Sequence, residues 1–392
     1  MAITDKEEGV WGLDQVYNKI NQGGIWDYDG IRGLWVWGTN AGGSLGVNTA
    51  NPTTYSSPIQ VPGTTWAALS NAVAGTTNFM LATKTDGSLW SWGGNDDGNL
   101  GQNNTTHYSS PTQVGADTTW GDQIARGDYA SYAIKTDGGL WSWGNNSPSY
   151  GNLGHNNKTN YSSPKQVGTD TTWSKVEAML SAVVSTKTDG TLWTWGNGSF
   201  GMLGLGNDTA FSSPKQVGTD TTWTGMISGS NQMAAAIKGD GTLWCWGVNE
   251  YGNIAQNNLT NYSSPKQVPG SWSKVGCCGK SVNAIKTDGT LWVWGADETG
   301  SLGQNVSTEP RLSSPTQVGT ETTWANVIGS AVHVLATKTD GTLWGWGNGG
   351  PGSLNNNQTI YISSPMQIAG LWDTADKKTA IIAYNSAAIQ IQ

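Results

Sequence analysis

The 392-residue sequence predicts an all-β fold, a seven-bladed β-propeller of four-stranded antiparallel blades with a short N-terminal arm. Three observations predict it. The tetrad Leu-Trp-x-Trp, followed by Gly, recurs seven times. Its leading Trp moves from position 35 to 344 in six steps, a period of about 51.5 residues. Turn-forming pairs, Trp and β-branched residues fill that period, which selects a propeller blade over a helical solenoid.

Residues 1–33 do not repeat. Gly9-Val10-Trp11 opens a run whose apolar residues Leu13, Val16, Tyr17 and Ile20 have the spacing of a short amphipathic helix. Asn21 to Gly24 stops that helix, and Ile25-Trp26-Asp27-Tyr28 reads as an extended segment. This arm either packs over its own propeller or anchors the chain to another subunit. Trp11, Leu13, Tyr17, Ile20 and Trp26 are the expected anchor residues.

Residues 34–392 are expected to form the propeller. The tetrads stand at Leu34–Gly38, Leu89–Gly93, Leu140–Gly144, Leu192–Gly196, Leu243–Gly247, Leu291–Gly295 and Leu343–Gly347. A Lys-Thr-Asp-Gly turn precedes most of them, as at Lys84 to Gly87, because Asp-Gly tolerates the positive φ of a tight hairpin. A Gly/Asn-rich loop with a Leu-Gly step follows each tetrad, departing to Asn253-Ile254-Ala255 and Ser353-Leu354-Asn355 in the fifth and seventh copies. Then come Ser-Ser-Pro and a single Trp, from Trp66 in the first copy to Trp372 in the last. These marks define strand A, ending at the Asp-Gly turn; B, the tetrad; C, after Ser-Ser-Pro, where Pro at the entry removes no needed donor; and D, at the single Trp.

Residues two apart on a strand share a face, so the tetrad's two Trp point one way and the small or medium residue between them points the other. A bulky face then meets a smaller one on the next blade. Tetrads and single Trp use all but Trp11 and Trp26 of the 23 tryptophans, so the tryptophans are structural first. Ring closure is expected from the C-terminus. The first tetrad lacks an upstream Lys-Thr-Asp-Gly partner, and residues 380–392 alternate apolar positions suited to a returning strand.

A net charge of −8 argues against a nucleic-acid surface, which needs a basic footprint. No apolar run reaches the ~18 residues of a membrane span, so no membrane insertion is expected. Met1 to Val10 lacks a charged-then-apolar signal, which predicts synthesis in a cytosol without standard secretion. Cys245, Cys277 and Cys278 have no metal-ligand spacing. His107, His155 and His333 fall at different repeat positions, and none has a recurrent Cys, Glu or Asp partner. Asn95-Asp96-Asp97-Gly98-Asn99 is like a calcium loop but lacks the distal Glu. No cofactor, metal or catalysis is expected. The recurrent Lys and Asp of the hairpins read as solvated tips on one rim.

An antiparallel meander places the long B–C loops and the D–A connections on one face, and the short turns on the other. Loop variation on a rigid scaffold carries recognition. The long-loop face, with Tyr108, His155, Tyr161, Phe211, Tyr262 and Tyr361, is the candidate contact surface; packing within the loops is the alternative role of these aromatics.

The Trp-Gly ending with its Gly-x-Leu-Gly loop resembles the regulator of chromosome condensation repeat over residues 34 to 372. That resemblance implies a seven-bladed propeller. It also covers exchange factors for a small GTPase, β-lactamase inhibitors and a plant ultraviolet receptor. The acidic balance disfavours exchange, and the receptor's Gly-Trp-Arg-His-Thr motif is absent. The arm, Val10-Trp11 with Tyr17 and Trp26, resembles N-terminal segments of bacteriophage structural proteins, which use Trp-rich versions of this repeat. The expectation is therefore a non-enzymatic virion protein made in the host cytoplasm and displayed on capsid or tail. Its arm would hold other virion proteins, and its loops would meet a host receptor or glycan. The alternative is a cellular or secreted bacterial protein-binding propeller of adhesin or enzyme-inhibitor type.

Overall fold

The computed structural model describes residues 33–49, 53–71, 78–147, 149–297, 299–305, 311–330, 332–350, 352–354, 361–382 and 385–390. The arm and its five anchor residues lie outside them. Seven four-stranded antiparallel sheets form a propeller. Each sheet runs D–A–B–C, and successive D strands contact one another, so D lines the axis and C the rim.

Blade 2 shows the plan: Trp66–Leu69, Phe79–Lys84, Leu89–Gly93 and Tyr108–Gln113. Trp66 pairs with Lys84, so the single Trp that ends one sequence repeat begins the next blade. The repeat and the blade are thus out of phase by one strand. Blade 1 is shared by the two ends of the described chain. Asn385–Gln390 pairs with Gly33–Thr39, and Thr379–Ile382 pairs with Asn385–Gln390. The C-terminal segment thus contributes two strands, A and D, where one was expected.

The blades pack by a repeated exchange. Trp120 and Trp143 of blade 3 cluster with Leu89, Leu100 and Val114 of blade 2. The second tetrad Trp of each blade is fully buried, and its indole N–H donates to a carbonyl in the preceding blade's B–C loop. Trp92 reaches Ser44 at 3.0 Å, Trp143 reaches Asn99 at 2.9 Å, and Trp195 reaches Asn152 at 2.8 Å. The acceptor immediately precedes the loop's buried Leu, so one contact seats both an apolar side chain and a donor. Glycine follows that Leu because a Cβ on Gly46 would lie 2.6 Å from the Trp92 nitrogen. In the fifth and seventh loops Ile254 and Leu354 keep the buried aliphatic position, and Asn253 and Ser353 keep the acceptor. The tetrad's closing glycine is equally constrained. At Gly93 φ is +102°, and a Cβ would meet the Asn78 carbonyl at 2.3 Å.

Candidate functional site

The axis is closed by this chain's own insertion. Thr379 pairs with Ala388 seven positions after Trp372, whereas the equivalent Val176 lies three after Trp173. The extra residues belong to Asp373–Lys378, which crosses the channel. Leu69 N–H of blade 2 donates to the Lys377 carbonyl at 2.7 Å. The Lys378 ammonium bonds the Ala67 carbonyl of the same strand. Lys377 donates to Ile124 of blade 3 at 3.2 Å and pairs with Glu177 of blade 4. Lys274 of blade 6 pairs with Asp376 at 2.6 Å, and Asn326 of blade 7 reaches the Ala375 carbonyl at 3.5 Å. One short segment therefore ties D strands of five other blades. Burial pushes the Glu177 carboxyl pKa up, opposed by Lys377. A cavity of about 270 Å³ remains beside the insertion, lined among others by Lys175, Met226 and Asn326. Lys175 spends its ammonium on the carbonyls of Thr224 and Gly225, each at 2.5 Å.

On the short-turn face the hairpin lysines are not solvated tips, a correction to the sequence reading. Each lies against two indoles: Lys187 Nζ is 4.8 Å from the Trp173 ring and 3.9 Å from Trp193. The same clamp holds Lys84, Lys135, Lys238, Lys286 and Lys338. The stem covers apolar rings while the ammonium gains cation–π attraction. A carboxylate from the preceding C–D turn completes four clamps: Asp117 on Lys135 and Asp170 on Lys187, both at 2.5 Å, Asp220 on Lys238, and Glu321 on Lys338. The hairpin Asp has another task. Asp189 accepts from the Thr191 hydroxyl at 2.6 Å, which accepts from the Trp193 N–H at 2.8 Å.

The long-loop face holds the aromatics named from sequence. Tyr108, Tyr161, Phe211 and Tyr262 are half-buried at the entries of C strands, packed on the blade clusters. Their hydroxyls, where present, accept from Asn104, Asn157 and Asn258 at 3.1, 3.1 and 2.8 Å. Tyr361 is 61% exposed. His155 meets Tyr161 edge-on at 5.1 Å and the Ser142 hydroxyl at 3.0 Å. Burial, with Lys165 nearby, lowers its pKa to about 4. Ser142 donates to the Leu153 carbonyl at 2.7 Å, so its proton is committed and the pair is no nucleophile–base couple. Gln102 bonds Ser91 the same way in blade 2.

Three exposed residues on this face were missed from sequence. Tyr129, Leu180 and Phe200 are 41%, 37% and 48% exposed. Tyr129 and Leu180 sit on adjacent D–A turns, where a Cβ on Gly127 would lie 3.2 Å from the Met179 carbonyl. Asn197 N–H donates to the Ser181 carbonyl at 2.9 Å and so brings the Phe200 turn to the same edge. Phe200 adopts φ +57° inside that turn. The only sequence signal for this patch is an apolar residue standing where the loops are otherwise polar.

Among the described residues no group of three or more His, Cys, Asp or Glu converges as a metal site. In the calcium-like loop Asn95 is spent on backbone contacts, Asp96 faces His107 at 2.9 Å, and Asp97 accepts from Asn145 at 2.7 Å. The three cysteines are buried and free, and burial raises Cys277 and Cys278 to about 12.

Fold and packing together define a seven-bladed β-propeller built from Trp-rich repeats. Residues 86–134, 137–178 and 189–236 match the Regulator of chromosome condensation (RCC1) repeat. The chain is 25% identical to the Ultraviolet-B receptor of Arabidopsis thaliana over 242 residues, covering 60% of this chain and 53% of the receptor. It is 26% identical to the human E3 ubiquitin-protein ligase HERC2 over 370 residues, covering 90% of this chain and 6% of the ligase. It therefore spans about half the length of the first relative and a small part of the second. Human WBSCR16 superimposes with a TM-score of 0.80 at 20% identity, covering 92% of this chain and 99% of that one. Yeast RCC1 (Prp20), in its complex with Kap60, gives 0.78 at 18%, covering 93% and 91%. These two structures show the shared fold.

The relatives overturn the expected virion protein, together with its virion partners and virion location. They are cellular proteins of plants and animals, one of them the mitochondrial RUG3 of Arabidopsis thaliana. The physical reason is that the Trp-rich, low-charge composition follows from the interblade packing described above. It carries no information about where the protein works.

Proposed function

We propose that this chain is a protein-binding propeller whose long-loop face, centred on Tyr129, Leu180 and Phe200, recruits a partner protein. The observation that carries this reading is a cluster of exposed apolar side chains on adjoining turns of a rigid ring. Exposed aromatic and aliphatic anchors of this kind mark contact sites. The bolted axis leaves the faces and rim as the surfaces a partner can meet. Two proteins of the same fold support it: yeast RCC1 (Prp20) binds Kap60, and Prp20p has binding properties toward Gsp1p and histones. Tyr361 and the half-buried Tyr108, His155, Tyr161, Phe211 and Tyr262 form the outer part of the proposed face. The arm of residues 1–33, with Trp11, Leu13, Tyr17, Ile20 and Trp26, is proposed as a second apolar contact of the same kind beside the ring of residues 34–392.

The test is capture from cell lysate on the immobilised full chain. A partner held by the natural protein should be lost at least tenfold in Tyr129→Ala/Leu180→Asp/Phe200→Ala. It should be retained in Leu371→Asp, which alters an exposed leucine of the short-turn face. Equal capture by the triple variant, or equal loss in Leu371→Asp, sinks the reading.

A further inference from the structure

Four of the six lysine clamps are completed by a carboxylate from the C–D turn, and two are not. In blades 3, 4, 5 and 7 that turn carries Asp117, Asp170, Asp220 or Glu321. In blade 2 the turn is Val61-Pro62-Gly63-Thr64-Thr65, and in blade 6 it is Val268-Pro269-Gly270-Ser271; both are shorter and contain no acid. Lys84 keeps its indoles at 4.0 Å from Trp90 and 4.8 Å from Trp66, and Lys286 keeps Trp292 at 3.5 Å and Trp272 at 5.4 Å. Neither ammonium has a carboxylate at ion-pair distance among the described residues. Both are only partly buried. The glycine that replaces the acidic turn lies directly against each lysine. A Cβ on Gly63 would sit 3.4 Å from the Lys84 nitrogen, and one on Gly270 would sit 3.3 Å from the Lys286 Cε. Having no Cβ, these glycines add no side chain at that approach.

We infer that Lys84 and Lys286 are two docking points for carboxylate side chains of an acidic segment on a partner protein, which take the place that Asp117, Asp170, Asp220 and Glu321 fill elsewhere in the ring. The chain's own repeats supply the template for the contact: one carboxylate oxygen on Nζ, with the stem held between two indoles. That holding matters, because a lysine already fixed by its clamp loses little further freedom when a carboxylate arrives. The hairpin carboxylates do not prevent it, since Asp137 and Asp189 stand beside Lys135 and Lys187 in clamps that still take a second acid. The net charge of −8 acts weakly here, because charges beyond about 8 Å are screened at physiological salt. One exposed ion pair is too weak to hold a free small acid. Several carboxylates on one chain gain from effective concentration, so an acidic segment fits where acetate does not. The two sites share the short-turn face, opposite the proposed partner face, so this is a separate contact.

The experiment is site-resolved acylation of the full-length protein with acetic anhydride, read by mass spectrometry. Lys84 and Lys286 should react several-fold faster than Lys135, Lys187, Lys238 and Lys338, whose ammonium groups are covered by acids. Octaglutamate should slow Lys84 and Lys286 several-fold, and octaglutamine should not. The variant Lys84→Arg/Lys286→Arg keeps the charge and should keep binding of labelled octaglutamate, whereas Lys84→Gln/Lys286→Gln should lose it with the fold intact by circular dichroism. Uniform reactivity of all six lysines, absence of protection by octaglutamate, or equal protection by acetate at matched carboxylate concentration would overturn the inference.

Discussion

The indole N–H of Trp37 donates to the carbonyl of Ser353 across 2.8 Å and 316 positions of sequence. It is the same bond that joins Trp92 to Ser44 within the array, so the ring closes on the contact that builds it. Closure thus joins this contact to the two C-terminal strands that complete blade 1. Trp37→Ala should therefore cost as much as Trp195→Ala, about 3–5 kcal/mol. Urea unfolding of both variants checks this. A Trp37 effect below about 1 kcal/mol would mean that the first and last blades do not depend on each other.

The Asp373–Lys378 bolt should show coupling. Lys377 and Glu177 pair where each side chain is 13% exposed. Glu177→Gln alone leaves a largely buried ammonium unpaired and should destabilise by about 3 kcal/mol. Glu177→Gln/Lys377→Met should recover most of that loss. A double-mutant cycle in chemical denaturation reads the coupling, and strict additivity would argue against the pair.

Acid should loosen the short-turn face over a defined window. Hydrogen bonds from Lys135 and Lys238, with Thr119 and Thr222, hold Asp117 and Asp220 at about 2. Their folded pKa is below the unfolded value, so their contribution is complete above about pH 4 and is lost as pH falls toward 2. The melting temperature should drop through that window, and Asp117→Asn/Asp220→Asn should flatten the drop while lowering stability at pH 7.

Blade 3 lacks the hydroxyl relay found in its neighbours. Gly139 stands where Thr191 links Trp193 to Asp189, and a Cβ there would meet Asp137 Oδ1 at 3.1 Å and Trp141 Nε1 at 3.5 Å. Gly139→Thr should complete the relay and stabilise by about 0.5–1.5 kcal/mol, through the new hydrogen bond and reduced chain entropy. Thr191→Val should cost about 1 kcal/mol. A paired rise and fall in the denaturation midpoint checks both.

His155→Gln should be close to silent. Gln102 occupies the equivalent place and donates to Ser91 at 3.2 Å. With its pKa near 4, His155 is uncharged at neutral pH, so no charge is removed. A change within about 0.5 kcal/mol is expected. Any larger loss, or a pH-dependent one near neutrality, would assign the histidine a role beyond packing.

Much of this architecture is legible in the residues themselves. Leu89-Trp90-Ser91-Trp92 states strand, facing and period at once, because its alternation and its aromatic bulk have one solution in a closed ring. What the tetrad could not show is the phase between repeat and blade, since Trp66 belongs to the following sheet only through its pairing with Lys84. The lysine clamps were hidden for a similar reason: the two indoles around Lys187 lie 14 positions before and six after it, and only the D–A–B register brings them together. Asp373–Lys378 carried a visible signal, four more residues between the single Trp and the next strand than Trp173 shows, but not its destination across the axis. Tyr129, Leu180 and Phe200 come from separate loops and converge only through packing of neighbouring turns.

The most direct measurement is hydrogen–deuterium exchange of the full chain with and without its captured partner. Protection should concentrate on residues 127–129, 179–181 and 197–201, the turns that carry Tyr129, Leu180 and Phe200. Protection confined to the rim or the short turns, with those three segments unchanged, would contradict it.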